Sequence, residues 1–326
     1  MPLHQPSAGP PPLEIEGRII APQPGPQTAF LGSPADIAIY GGAAGGGKSW
    51  ALLLEPLRHV HRPDFGAVFF RRTGVQIRNE GGLWDESAKL YPHLGARPRE
   101  QALEWRFPGG ASVSFGHLEH ERSVFDWQGS QIPLIGFDEL THFSAQTFFY
   151  MLSRNRSMCG IRPYVRATCN PDADSWVAKL IEWWIDPETG LPIAERSGVL
   201  RWFVRAGESL VWADRPKDLA GHRDTGTGEA IPPKSLTFIG AGLDDNAASV
   251  GSRPSCLAPL SSSSWRAGCW APPRAFSAGS RRTRPGWSRQ RVSFSLGSST
   301  SMPVTGERWT RATLPPDART KPCCST

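Results

Sequence analysis

At 326 residues the chain has room for two domains of ordinary size. Hydrophobic residues make up 39% of it, while 34 glycines and 31 prolines are both high counts, a balance that predicts a packed core joined to segments that do not pack. No run of about 18 apolar residues occurs, so no membrane-spanning segment is expected, and the opening "MPLHQPSAGPPPLEIEGRII" lacks the charged-then-apolar order of a signal peptide, so an intracellular location is expected.

The formal charge of +6 is unevenly spread. Residues 247–326 hold 12 Lys/Arg and two acids, Glu307 and Asp317, whereas residues 1–246 hold 24 Lys/Arg against 28 Asp/Glu. Basic character therefore belongs to the tail and says nothing about nucleic-acid binding by the body. The cysteines show no CxxC pair with metal-ligand spacing.

Residues 1–26 read as a proline-rich leader, unpacked or loosely attached. From there to about 246 strand-like and helix-like segments alternate. "ADIAIY" (35–40) is a short apolar strand ending at glycine. Residues 48–60 follow as a helix with Trp50, Leu53, Leu54 and Leu57 on one face, and Pro56 is expected to bend or interrupt it. "GAVFFRR" (66–72) is the next strand, and "LEWRFPGGASVSFG" (103–116) a hairpin about Pro108-Gly109-Gly110. "QIPLIGFDE" (131–139) is a buried strand with two acids at its end. A helix at 144–154 then leads to the strand "PYVRATCN" (163–170), and "DSWVAKLIEWW" (174–184) sets Trp176, Val177, Leu180, Ile181 and Trp184 on one helical face. Strands at 198–206 and 234–243 complete the series. This alternation predicts an α/β fold with a central, mostly parallel sheet covered by helices on both faces.

After residue 246 neither period persists, and Arg, Ser, Pro, Gly and Ala dominate. Such a segment buries too little apolar surface to offset its ordering entropy and is expected to be disordered. Two readings fit it: a basic nucleic-acid-binding tail, or out-of-frame translation of a GC-rich gene, which multiplies codons for these same residues.

The chemistry centres on Gly42-Ala43-Ala44-Gly45-Gly46-Gly47-Lys48-Ser49, a match to G-x-x-x-x-G-K-[ST] between a strand and an amphipathic helix. Glycines let successive N–H groups turn inward around phosphates. The helix N-terminus adds partial positive charge. Lys48 is placed to reach the β- and γ-phosphates of ATP, and the Ser49 hydroxyl to ligate Mg²⁺. A second metal-holding group is needed at the end of a neighbouring strand. Asp138 fits it, and Glu139 fits the base that orients and activates water. "TCNP" (168–171) ends the following strand; Thr168 and Asn170 there sit beside the expected γ-phosphate, although Asn-Pro is also a common turn starter.

Taken together, "IAIYGGAAGGGKSW", "VFFRRTGVQIRNEGGLWDESAKLYP", "WQGSQIPLIGFDELTHF" and "RATCNPD" resemble the large terminase subunit of tailed bacteriophages over roughly residues 27–246. The resemblance implies a P-loop ATPase that drives double-stranded DNA into a procapsid, with ATP on residues 42–49, Mg²⁺ on Ser49 and Asp138, and Glu139 catalytic. It further implies that Thr168 and Asn170 couple hydrolysis to movement, and that Gln27 contacts adenine. For Gln27 a solvated loop amide is an equal reading. Implied partners are the small terminase subunit, the portal and further copies in a ring, in the cytoplasm of a bacterial host carrying a phage or prophage. An arginine finger is also implied: Arg71, Arg72, Arg122 and Arg154 are candidates, while Gln128 stands where relatives can carry arginine. The nuclease domain usual in such subunits needs clustered acids, which residues 247–326 lack, so cutting is expected to be missing. A helicase-like translocase and an inactive prophage remnant that only binds nucleotide or partners stand as alternatives.

Other features point to packing. His117, His120 and Glu121, and His59 with His61, are expected at a solvated surface rather than on a metal. The tryptophans at 176, 183, 184 and 202 are expected to pack against the sheet rather than stack on bases.

Overall fold

The computed structural model describes residues 9–10, 12–15, 18–42, 47–170, 172–207, 209–224 and 226–241. The centre of the glycine turn, Ala43 to Gly46, and the tail expected at 247–326 lie outside the described residues.

Among the described residues ten strands form one sheet: β3 (Ile37–Gly42), β4 (Gly66–Arg71), β5 (Arg97–Arg99), β6 (Glu104–Arg106), β7 (Ser112–His117), β8 (Leu134–Phe137), β9 (Tyr164–Cys169), β10 (Arg201–Ala206), β11 (Ser209–Ala213) and β12 (Lys234–Ala241). Their order is β11-β10-β12-β3-β9-β8-β4-β7-β6-β5. The six from β12 to β7 run parallel, and antiparallel strands close both edges. This is the mostly parallel sheet that the strand–helix alternation predicts.

Alternation along each strand divides the core into two layers. On β3, Ala38 and Tyr40 face one layer, with Phe30 and Leu31 of α1 (Pro26–Gly32), Leu52 and Leu53 of α2 (Lys48–Leu54), Ile77 of α3 (Gly74–Arg78) and Leu83 of α4 (Leu83–Ala88). Ile37 and Ile39 face the other, with Phe148 and Met151 of α5 (Ala145–Leu152) and Val177 and Leu180 of α6 (Trp176–Leu180). Helices therefore cover both faces, and the parallel strands bring their C-terminal ends to one rim.

Several expectations are corrected. Part of the leader packs: β1 (Leu13–Ile15) and β2 (Arg18–Ile20) pair antiparallel, and Leu13 and Ile20 lie on the first core layer. The prolines exclude helix and central strand but not a short hairpin. The helix expected over 48–60 stops at Leu54 and continues as a 3₁₀ turn, Glu55–Arg58, where Pro56 cannot donate the next bond. Strand β11, not foreseen, folds back on β10 through Gly207 at φ 63°. His59 is half-buried rather than solvated; its ring packs on Phe65 and Tyr164, with centroids at 5.1 and 6.0 Å. Three of the four tryptophans do pack: Trp184 is buried and donates to the Val199 carbonyl, Trp176 donates to that of Phe143, and Trp183 packs on the second core layer. The guanidiniums of Arg196 and Arg201 lie over the Trp183 ring.

Candidate active site

Strand register builds the site. Strand β9 lies between β3 and β8, with Gly41 opposite Cys169 and Ala167 opposite Phe137. On the far side of β8, Phe70 of β4 pairs with Phe137, and the Asp138 N–H donates to the Phe70 carbonyl. One step beyond each pairing, the side chains of Arg71, Asp138 and Thr168 come together at the rim, beside the start of α2.

The described parts of the glycine turn need glycine. Gly42 sits at φ 146°, and a Cβ there would lie 1.9 Å from the Ala241 carbonyl oxygen. Gly47, the residue before α2, is left-handed at φ 69°, ψ 18°. Lys48 follows as the first residue of the helix, is buried, and donates from Nζ to the Gly42 carbonyl at 3.1 Å, spanning the turn. Burial lowers its pKa; the charge of Glu139 is the largest opposing influence. Gln27 is buried too, which corrects the reading of a solvated loop amide: its Nε2 donates to the Gly47 carbonyl at 3.1 Å and its Oε1 accepts from the Gln23 N–H at 2.6 Å.

Asp138 is the hub. Its Oδ1 accepts from the Ser49 hydroxyl at 3.0 Å and from the Thr168 hydroxyl at 2.6 Å. Its Oδ2 lies 3.1 Å from Arg71 Nε. The carboxylate is 1% exposed, so these partners offset its desolvation. The Thr168 hydroxyl oxygen also accepts from the Glu139 N–H at 3.0 Å, locking the backbone just after β8.

Glu139 adopts φ 60°, ψ 63°, one of two non-glycine residues with positive φ among the described residues. That conformation costs about 1–3 kcal/mol and turns the side chain toward β9. There the Asn170 amide donates to both carboxylate oxygens, at 2.9 and 2.8 Å. Cys169 lies beneath, fully buried, and burial pushes its thiol pKa up, so it is an inert neighbour.

Ser49, Asp138 and Thr168 thus present hard oxygen donors around one buried carboxylate, a set that fits Mg²⁺, which takes one or two protein oxygens and completes its shell with phosphates and water. Of the four arginine-finger candidates, only Arg71 reaches the acids. Arg72 donates to the His142 carbonyl at 3.3 Å, and Arg154 lies over the Tyr150 ring. Arg122 is exposed, as is Gln128, which follows the 3₁₀ turn Glu121–Trp127. The only sequence signal that singles out Arg71 is its place at the end of β4, beside the strand that carries the acids.

A lysine and a hydroxyl at the start of a helix, facing an acidic pair on a parallel strand one place removed, define a P-loop nucleotide-binding protein. The family model described as "Terminase large subunit, T4likevirus-type, N-terminal" matches residues 39–246. The chain belongs to that family: it carries the N-terminal part of a large terminase subunit. Among solved structures it is similar to the large terminase ATPase domain of Thermus phage P74-26, at 14% identity over 48% of this chain and 68% of that one, TM-score 0.36. It is similar to the large terminase of a thermophilic bacteriophage in complex with ADP, at 14% identity over 66% of this chain and 42% of that one, TM-score 0.40. It is similar also to the N-terminal domain of the DNA packaging ATPase from bacteriophage phi29, at 13% identity over 54% of this chain and 88% of that one, TM-score 0.38. The chain thus spans less than half the length of the ADP-bound terminase. No curated protein matches the sequence. Among the described residues no helix is long and apolar enough to cross a membrane.

Proposed function

We propose that the rim formed by Lys48, Ser49, Asp138, Glu139, Thr168 and Asn170 hydrolyses ATP and passes the resulting change to DNA. The carrying observation is the linkage of Asp138 to Ser49 and Thr168 on one side and of Glu139 to Asn170 on the other. In this reading the backbone N–H groups from Gly42 to Ser49 hold the phosphates and Lys48 gives up the Gly42 carbonyl to take the β- and γ-phosphates. Gln27, next to Gly47, faces the base. Mg²⁺, held by Ser49 and Asp138, supplies charge neutralisation on the phosphates.

Glu139 orients a water and accepts its proton as the water oxygen bonds to the γ-phosphorus and the bond to the ADP oxygen breaks. Thr168 fixes the Glu139 backbone through its N–H. Asn170 holds the carboxylate through both oxygens, so any shift of β9 against β8 changes how Glu139 meets water; this makes Thr168 and Asn170 the coupling residues. A motor that moves any sequence contacts DNA mainly through backbone phosphates.

The small terminase subunit, the portal and further copies of the chain in a ring are the proposed partners, in the cytoplasm of the bacterial host. With Glu307 and Asp317 the only acids after residue 246, a two-metal nuclease centre is not expected from that segment. The test is ATP hydrolysis by the full chain with and without double-stranded DNA, alongside Glu139→Gln. Turnover stimulated by DNA, lost in Glu139→Gln while ATP still binds, is the expected result; equal turnover by Glu139→Gln overturns it.

A further inference from the structure

Arg71 holds a position that the hydrolysis scheme does not use. It is the last residue of β4, and the pairing of Phe70 with Phe137 brings it alongside Asp138. Its Nε lies 3.1 Å from Asp138 Oδ2, and its Nη1 lies 4.0 Å from Glu139 Oε1. Nε–H makes no hydrogen bond among the described residues, so charge rather than alignment holds it there. The guanidinium is 20% exposed beside a carboxylate at 1%, on the open side of the acid.

The opposite oxygen of Asp138 is already engaged. Oδ1 accepts two neutral hydroxyls, Ser49 and Thr168, which can rotate their hydrogens away and offer lone pairs to a cation. Arg71 has no such option, because a guanidinium is always charged and has no acceptor. A divalent cation at Ser49 and Asp138 and the Arg71 guanidinium therefore compete for one buried negative charge.

We propose that Arg71 acts as a charge plug on Asp138: a positioning residue that must withdraw before a divalent cation can bind there, which makes metal entry depend on nucleotide. Without nucleotide, displacing the guanidinium leaves it facing the metal. With nucleotide, the polyphosphate brings the negative charge that receives the withdrawn arginine. Arg71 thereby raises the coupling between metal and nucleotide, and by reciprocity each ligand tightens the other more in its presence. This inference rests on the reading of Ser49 and Asp138 as the metal ligands.

The test is Mn²⁺ binding to the full chain, read from the free-ion paramagnetic resonance signal, in the absence of nucleotide and with the non-hydrolysable analogue AMP-PNP. Arg71→Gln is expected to bind Mn²⁺ without nucleotide roughly tenfold more tightly than the parent, while Arg71→Lys, which keeps the charge, stays near the parent; the factor by which AMP-PNP tightens Mn²⁺ falls correspondingly in Arg71→Gln. Equal affinity of Arg71→Gln and the parent without nucleotide overturns the plug. Asp138→Asn separates the two readings: if it leaves Mn²⁺ affinity with AMP-PNP intact, the metal assignment itself fails. If Asp138→Asn abolishes binding but Arg71→Gln matches the parent, only the role of Arg71 falls. In the unmutated protein, the Arg71 Nε resonance is expected to move when Mg²⁺ and AMP-PNP are added together and to stay with Mg²⁺ alone. A resonance that moves with Mg²⁺ alone, or with neither addition, overturns the plug without any variant.

Discussion

Asn170 donates its side-chain amide to both carboxylate oxygens of Glu139, at 2.9 and 2.8 Å. These two bonds tie the carboxylate to the end of β9 and fix its direction. Asn170→Ala, which frees the carboxylate to meet water, is therefore expected to raise ATP turnover without DNA by roughly 2–10-fold while stimulation by double-stranded DNA falls toward none. Steady-state hydrolysis with and without DNA reads both. Stimulation equal to that of the parent would remove Asn170 from the coupling role.

Lys48 gives a prediction with opposite signs for function and stability. Its ammonium is buried with the Gly42 carbonyl at 3.1 Å, and burial lowers its pKa. Lys48→Met is expected to weaken ATP binding by roughly 10–100-fold, the worth of a charge-assisted contact. Yet it should raise the melting temperature, since the charge no longer has to be desolvated; each kcal/mol gained adds about 2–4 °C. The pH dependence follows from the direction of the shift. A lysine with a lowered folded pKa is bound to fewer protons in the folded state, so the parent gains stability as pH rises toward the ordinary lysine value of about 10.5. Lys48→Met should lose that rise. Melting curves at two alkaline pH values compare the slopes.

The parts of this architecture with local causes were legible in the sequence. The β3–turn–α2 unit carries its own glycines and helix period, and the hairpin between β6 and β7 is marked by Pro108-Gly109-Gly110, with Gly110 at φ 98°. Asp138 and Glu139 were readable because an apolar run that ends in acids must place them at a strand end. What was hidden depends on sequence-distant neighbours. Nothing local says that Arg71 lies beside Asp138, since β4 and β8 are 62 residues apart and only their register joins them. The polar ends of Gln27 meet Gly47 and Gln23 only because α1 packs under the turn. Likewise His59 reads as polar surface until Phe65 and Tyr164 close over its ring.

His59 sets an acid limb on stability. Burial first, and then the charge of Arg58, push its pKa down to about 3. Because the folded value is depressed below that of the unfolded chain, near 6.5, the contribution is complete above about pH 6.5 and is lost as pH falls toward 3. The slope in that window approaches 1.4 kcal/mol per pH unit as an upper bound, reduced by partial solvent access. His59→Phe, which keeps the ring packing, is expected to flatten the dependence between pH 6 and about 4 in urea denaturation. Parallel curves for the variant and the parent would show that other groups set the acid limb.

The least expected feature of the core is a fully buried ion pair between Arg166, on β9, and Glu55, just after α2, with Nε and Oε1 3.5 Å apart. Arg166 also donates to the carbonyls of Ala35, Val165 and Ser33, at 3.1, 3.0 and 2.8 Å, and lies over the Tyr164 ring. Glu55 receives Arg58 Nη2 at 2.9 Å. The pair joins the turn just past the helix that carries Lys48 to the strand that carries Thr168 and leads into Asn170. Glu55→Leu takes the carboxylate from two buried guanidiniums, Arg166 and Arg58, so it is expected to cost about 3–5 kcal/mol. Adding Arg166→Met removes one of those charges and should recover about half of that loss. The recovery is incomplete because the Ser33 and Ala35 carbonyls then lose donors and Arg58 still lacks its carboxylate. Urea denaturation of the parent, both single variants and the double variant gives the coupling energy. A double variant no more stable than Glu55→Leu would place the cost in those carbonyls and in Arg58 rather than in the pair.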